Sequence, residues 1–136
     1  MPRAMPISVA VAFAIAGLVR SDVVVAHHSV LAFDGARGIE LSGRVQQIKR
    51  INPHTEITLA VTGADGATKT WTIESESALL LSRLGWDDQV IGVGDWVTVV
   101  GAPAKDGGPA LRCRHLRLED GRSLACYPGL DGLDAE

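Results

Sequence analysis

The sequence predicts a mainly β protein: five to six short strands closed into a small OB-like barrel, with one short helix between the third and fourth strands. Three observations carry that expectation. Stretches alternating apolar and polar residues recur between turns rich in Gly, Asp and Asn-Pro. One apolar cluster with helical spacing interrupts them after the third. The segment carrying the pattern is about the length of one domain.

The chain opens differently. Met1-Pro2-Arg3 is a short positive start, and Ile7 to Val19 is an apolar run, broken by Arg20, Ser21 and Asp22 before Val23-Val24-Val25-Ala26. That is the form of a secretion signal, with small residues Val24 and Ala26 where a signal peptidase has shallow pockets. The expected cut leaves 1–26 as signal peptide and His27 as the new amino terminus; a cut after Ala16 is the competitor. The apolar run is shorter than the ~20 residues a helix needs to span a bilayer, so no permanent membrane anchor is expected after processing. The expected location is periplasmic or secreted.

From Ile39 to Ile51 one face carries Ile39, Leu41, Gly43, Val45 and Gln47, and the other Glu40, Ser42, Arg44 and Gln46. Asn52-Pro53 ends this first strand, because proline donates nothing to a sheet ladder. His54 to Val61 alternates again, Ala64-Asp65-Gly66 marks a hairpin, and Lys69 to Glu74 returns as a third strand. Ser75 to Leu84 has an apolar helix face of Ala78, Leu79, Leu80, Leu81 and Leu84, with Ser75 or Ser77 as cap and Gly85 as stop. Trp96 to Gly101 reads as a fourth strand and Ala110 to Leu118 as a fifth, and Ser123 to Tyr127 pairs back on the fifth. The barrel domain therefore runs over 27–128, and the Gly- and Asp-rich stretch 129–136 reads as a disordered tail.

Composition narrows the chemistry. The net charge of -3 becomes one unit more negative when Arg3, Arg20 and Asp22 are removed, which argues against nucleic acid as a partner. Cys113 and Cys126 flank the Asp120-Gly121 turn and are expected to form a disulfide in an oxidising compartment. No phosphate-cradling glycine loop, nucleophile elbow or Cys-x-x-Cys pair is present. Trp71 and Trp96, within strands, are expected in the core, and Trp86, just past Gly85, is the candidate ligand surface. The arginines Arg112, Arg114 and Arg117 read as a solvated strip.

The candidate metal ligands are His27, His28 and His54. An amino-terminal histidine offers an amine and an imidazole to one ion, and copper(II) favours such nitrogen donors. His54, after Asn52-Pro53 at the rim, is the best third donor and His28 the alternative; His115 lies among arginines that repel a cation. Two further readings stand beside the metal module. One is an interaction domain without metal, gripping an envelope protein or a small ligand. The other is a copper-dependent oxidoreductase on the same histidines, for which nothing else in the chain supplies an acid, a base or a substrate cleft.

Ala26-His27-His28-Ser29, Gly43-Arg44-Val45, Asn52-Pro53-His54, Gly85-Trp86, Gly94-Asp95-Trp96-Val97-Thr98-Val99, Ala104-Lys105-Asp106-Gly107 and Asp120-Gly121-Arg122 follow in order. In this the chain resembles a family of small exported bacterial proteins, a domain of unknown function (6152). The resemblance covers the mature chain and implies an OB-like barrel behind a signal peptide. It places His27, His28 and His54 where such proteins carry histidine, while His115 and the cysteines fall outside its pattern. Aromatic residues usual around the Asn-Pro-His turn are replaced by Ile51 and Thr55.

Overall fold

The computed structural model describes residues 29–128. The expected leader, His27, His28 and the tail expected over 129–136 lie outside the described residues. A single helical turn, α1 (Ser29–Ala32), leads into β1 (Ile39–Lys49), β2 (Glu56–Thr62) and β3 (Thr68–Glu74). Then come α2 (Ala78–Arg83), β4 (Trp96–Pro103), β5 (Ala110–Leu118) and β6 (Ser123–Ala125). The order is the one the alternation predicted, with α1 added.

Antiparallel pairing runs β3-β2-β1-β4-β5-β6. A parallel pairing of Thr72, Ile73 and Glu74 with Ala110, Leu111 and Arg112 joins β3 to β5. That seam closes β1 to β5 into a five-stranded barrel of the OB type, and β6 hangs on β5 outside the closed ring.

Two bulges overturn the expected faces of the long strands. Val45 pairs with Leu59 but Gln47 with Thr58, so Gln46 is an extra residue on β1. Beyond it Ile48, not Gln47, turns towards the core. On β5, Val100 faces His115 but Gly101 faces Cys113, which makes Arg114 extra. Leu111 and Cys113 are therefore buried before the bulge and Leu116 after it, and His115 leaves the face on which strict alternation put it. A bulge bends its strand and increases twist, which a closed barrel this small requires.

The helix is shorter than the expected 75–84. Ser75 still belongs to the sheet ladder, its N–H donating to Thr55 O at 3.0 Å. Ser77 is the N-cap, its hydroxyl accepting from Leu80 N at 3.3 Å. At the other end Gly85, at φ +91°, takes the left-handed conformation. Gly85 N then donates to Ser82 O and Trp86 N to Leu81 O, the paired bonds of a Schellman cap. Such a cap packs the residue after the glycine against the helix, and here both Trp86 and Leu81 are buried. Trp86 is only 2% exposed and its Nε1 donates to Ala125 O at 2.8 Å. It is part of the core, and the expectation of a Trp86 ligand surface is corrected. Trp96 reverses the other way: Val97 and Val99 point inward, leaving Trp96 39% exposed at the start of β4. Trp71 packs, half-buried, on the core margin.

Inside the barrel, Val45, Ile57, Leu59, Ile73, Val97, Val99, Leu111 and Leu116 are fully buried, with Leu81 and Trp86 closing one end. Cys113 and Cys126 are joined as a disulfide and belong to this core. At Gly101 a Cβ would run into the carbonyl oxygen of Arg112, so β4 and β5 meet there only because no side chain intervenes. Gly101→Ala is expected to destabilise the protein by about 1–3 kcal/mol through this overpacking. Joint replacement of Cys113 and Cys126 by alanine should cost about 2–4 kcal/mol by loosening the constraint on the unfolded chain. Urea unfolding of each variant measures both.

Candidate functional site

The candidate site lies where β2 begins and β3 ends. The chain leaves β1 through Arg50 and Ile51, passes a cis Asn52–Pro53 bond and reaches His54 just before β2. His54 thus stands between this turn and the ladder of β2. The loop is anchored by backbone. Thr55 N donates to Glu76 O and Ser75 N to Thr55 O, both at 3.0 Å. Glu56 pairs with Glu74, and Glu74 with Arg112 across the parallel seam. Glu76 N donates to Cys126 O at 3.2 Å, which brings the end of β6 and Tyr127 to the same rim.

Four side-chain atoms here are buried without a hydrogen-bond partner: His54 Nδ1, Thr55 Oγ1, Arg112 Nη1 and Tyr127 OH. They come from β5 and from segments flanking β2 and β6, drawn together by the β3 pairings. Arg112 lies over the Tyr127 ring, its guanidinium carbon 4.2 Å from the ring centroid. Burial holds the Tyr127 phenol well above its usual range; Arg112 pulls it down, and the Glu74 and Glu76 carboxylates push it further up. The hydroxyl therefore stays a donor at any physiological pH.

The sequence singled out three histidines for metal, and the structure locates one. His54 is half-buried at the rim, with the carboxylate-bearing residues Glu56, Glu74 and Glu76 on the neighbouring positions. His27 and His28 lie outside the described residues. Among the described residues no three of His, Cys, Asp and Glu are grouped to hold a metal, so His54 has no complete donor set there. His115 sits between Val100 and Ala125 on β5.

The basic strip is taken up within the fold. Arg114 donates to Gly35 O at 2.6 Å and Arg37 O at 3.1 Å, pinning the loop before β1, and Arg117 meets Glu40 at 3.0 Å. In the β5–β6 turn the Arg122 N–H, and then its guanidinium, hold the exposed Asp120 carboxyl below the usual range. An open hollow of ≈ 520 Å³ has Phe33, Thr72, Ala104 and Ala110 among its lining residues. Among the described residues no helix is long and apolar enough to cross a membrane.

Fold and rim together define a small OB-type barrel with a polar, histidine-bearing end. The profile of the family of unknown function DUF6152 matches residues 16–111, and the chain belongs to that family. No curated protein matches the chain. The match ends before Cys113 and Cys126, so the disulfide and β6 lie beyond the matched segment.

Tyr127 is the single tyrosine of the chain, which makes its ionisation directly readable in ultraviolet absorbance. Its phenol ionises more readily unfolded than folded, so stability is full below about pH 10 and falls as pH rises above it. Tyr127→Phe should abolish that alkaline loss and match or exceed the parent's stability at neutral pH, since it removes an unpaired hydroxyl. Denaturant midpoints at neutral and alkaline pH check both.

Proposed function

We propose that this protein is an exported binding module that holds a metal ion such as copper. In this reading cleavage after Ala26 frees the His27 amine, and the amine and imidazole of His27 chelate the ion together with His54 or His28. The observation that supports it is at His54: a ring nitrogen buried at the barrel rim with no hydrogen-bond partner. Buried polar groups are ordinarily paired, so such a nitrogen is one for which a ligand is sought.

Mass spectrometry of the protein recovered from the envelope should give a chain starting at His27; any other start removes the chelating amine. Calorimetric titration of that chain with copper(II) should show one site, weakened roughly tenfold or more by His27→Ala and by His54→Ala. Binding should weaken as pH falls, because amine and imidazole must lose protons to donate. An affinity untouched by either substitution ends the metal reading.

The exposed Trp96 favours a second reading, an interaction module for an envelope protein or a small ligand. Arg44 lies 5.8 Å from the Trp96 ring centroid, and Val93 nearby in sequence is 71% exposed. Tryptophan and arginine are the side chains that most often anchor a protein interface. Cross-linking in periplasmic extract should yield a partner for the parent chain and lose it in Trp96→Ala; an identical pattern for both removes this reading.

A further inference from the structure

We infer that the open hollow beside the turn between β4 and β5 binds a small monoanion with an apolar body, a free medium-chain carboxylate in chemical terms. The inference is independent of the metal reading and of Trp96. Two parts of the chain build the hollow. On one side Phe33 forms an antiparallel bridge with Ala104, while Asp34 N donates to Pro103 O and Lys105 N to Ala32 O, both at 2.9 Å. On the other, Thr72 N donates to Pro109 O at 3.0 Å, which ties β3 to the turn. The volume of ≈ 520 Å³ falls in the ~300–1,000 Å³ range of small-molecule sites. Every lining residue lies within 16–111, the segment matched to the family.

What the walls leave unpaired decides the ligand. Their backbone donors are used inside the fold: Ala104 N donates to Ala110 O, Gly107 N to Ala104 O, Gly108 N to Asp106 Oδ1 and Ala110 N to Gly108 O. Ala32, Phe33, Ala104, Pro109 and Ala110 give a lining that suits an apolar body. Two polar side chains remain, the Thr72 hydroxyl and the Lys105 ammonium, neither with a partner among the described residues. A lysine lays its stem along apolar surface and keeps its ammonium in water, where it meets the anionic head of a molecule whose body is buried. Asp106 lines the hollow as well, its Oδ1 held by Gly108 N at 2.8 Å. Its charge opposes a second negative charge, so a singly charged carboxylate fits better than a phosphate dianion.

Calorimetric titration of the purified protein with decanoate tests the inference and should show one saturable site. Lys105→Met should weaken binding roughly threefold. Asp106→Asn, which keeps the acceptor for Gly108 N and drops the charge, should tighten it by a similar factor. Both positions are exposed, so neither variant should move the urea midpoint. Ala32→Trp, at an exposed position in the lining, should abolish binding by filling the hollow. Decyltrimethylammonium, with the same tail and the opposite charge, should bind roughly tenfold more weakly than decanoate. Equal affinity for the two amphiphiles overturns the inference, as does a decanoate affinity unchanged in both Lys105→Met and Ala32→Trp. No saturable binding of decanoate overturns it too. Sedimentation with phosphatidylglycerol vesicles separates a free carboxylate from a membrane lipid. Protein that sediments with the vesicles but does not bind decanoate replaces the inference with a lipid surface.

Discussion

Three residue pairs make this sheet a barrel. Thr72, Ile73 and Glu74 run parallel to Ala110, Leu111 and Arg112, and this pairing closes the ring. Parallel strands cannot be joined by a tight hairpin, so the chain must travel from the end of β3 round to the start of β5. The path holds α2, the Gly85–Trp86 cap and all of β4. It places Leu81 and Trp86 across one end of the core, where Trp86 also bonds to the chain leaving β6. The bulges at Gln46 and Arg114 belong to the same constraint, because short strands close into a ring only if some of them bend.

Closure also builds the rim. Glu74 is beside Arg112 because β3 and β5 are neighbours, and beside Glu56 because β2 and β3 are. Thr55 and Glu76 continue that ladder past the formal ends of their strands, which carries His54 to the same edge. Tyr127 arrives from beyond β6, held by the Cys113–Cys126 bond one residue away. Four unpaired polar atoms at one end of a barrel whose core cluster is apolar mark this rim as the place where the fold departs from pure packing. Tyr127 itself, β6 and both cysteines lie after residue 111, outside the segment matched to DUF6152.

Much of this could be read from the chain, and the failures were specific. Strand order, the helix after the third strand, a serine cap at Ser75 or Ser77 and the cysteine pairing follow from local pattern and turn chemistry. Trp86 follows a glycine, a position that suggests exposure, yet it is buried. The combination of Leu81, Gly85 and Trp86 was nonetheless legible as a Schellman cap, which buries the residue following its glycine. Trp96 goes the other way, because Val97 and Val99 take the inner face of its strand. Both bulges leave a trace as well: Val45 and Ile48, like Cys113 and Leu116, are core residues three apart in strands where even spacing is the rule.

Of the site, the sequence identified His54 and its turn but not its surroundings. The glutamates reach Arg112 and Tyr127 through the pairings of β3, and no local spacing encodes an encounter between residues some 40 to 70 positions apart. What the sequence by itself determined is what neighbours decide: alternation, turns, caps, the cysteine loop and the order of elements. Only the tertiary structure decided which strands share an edge, where each strand bends and which polar atoms are left unpaired. The reason is physical: these depend on closing the ring, a property of the whole sheet that no segment possesses alone.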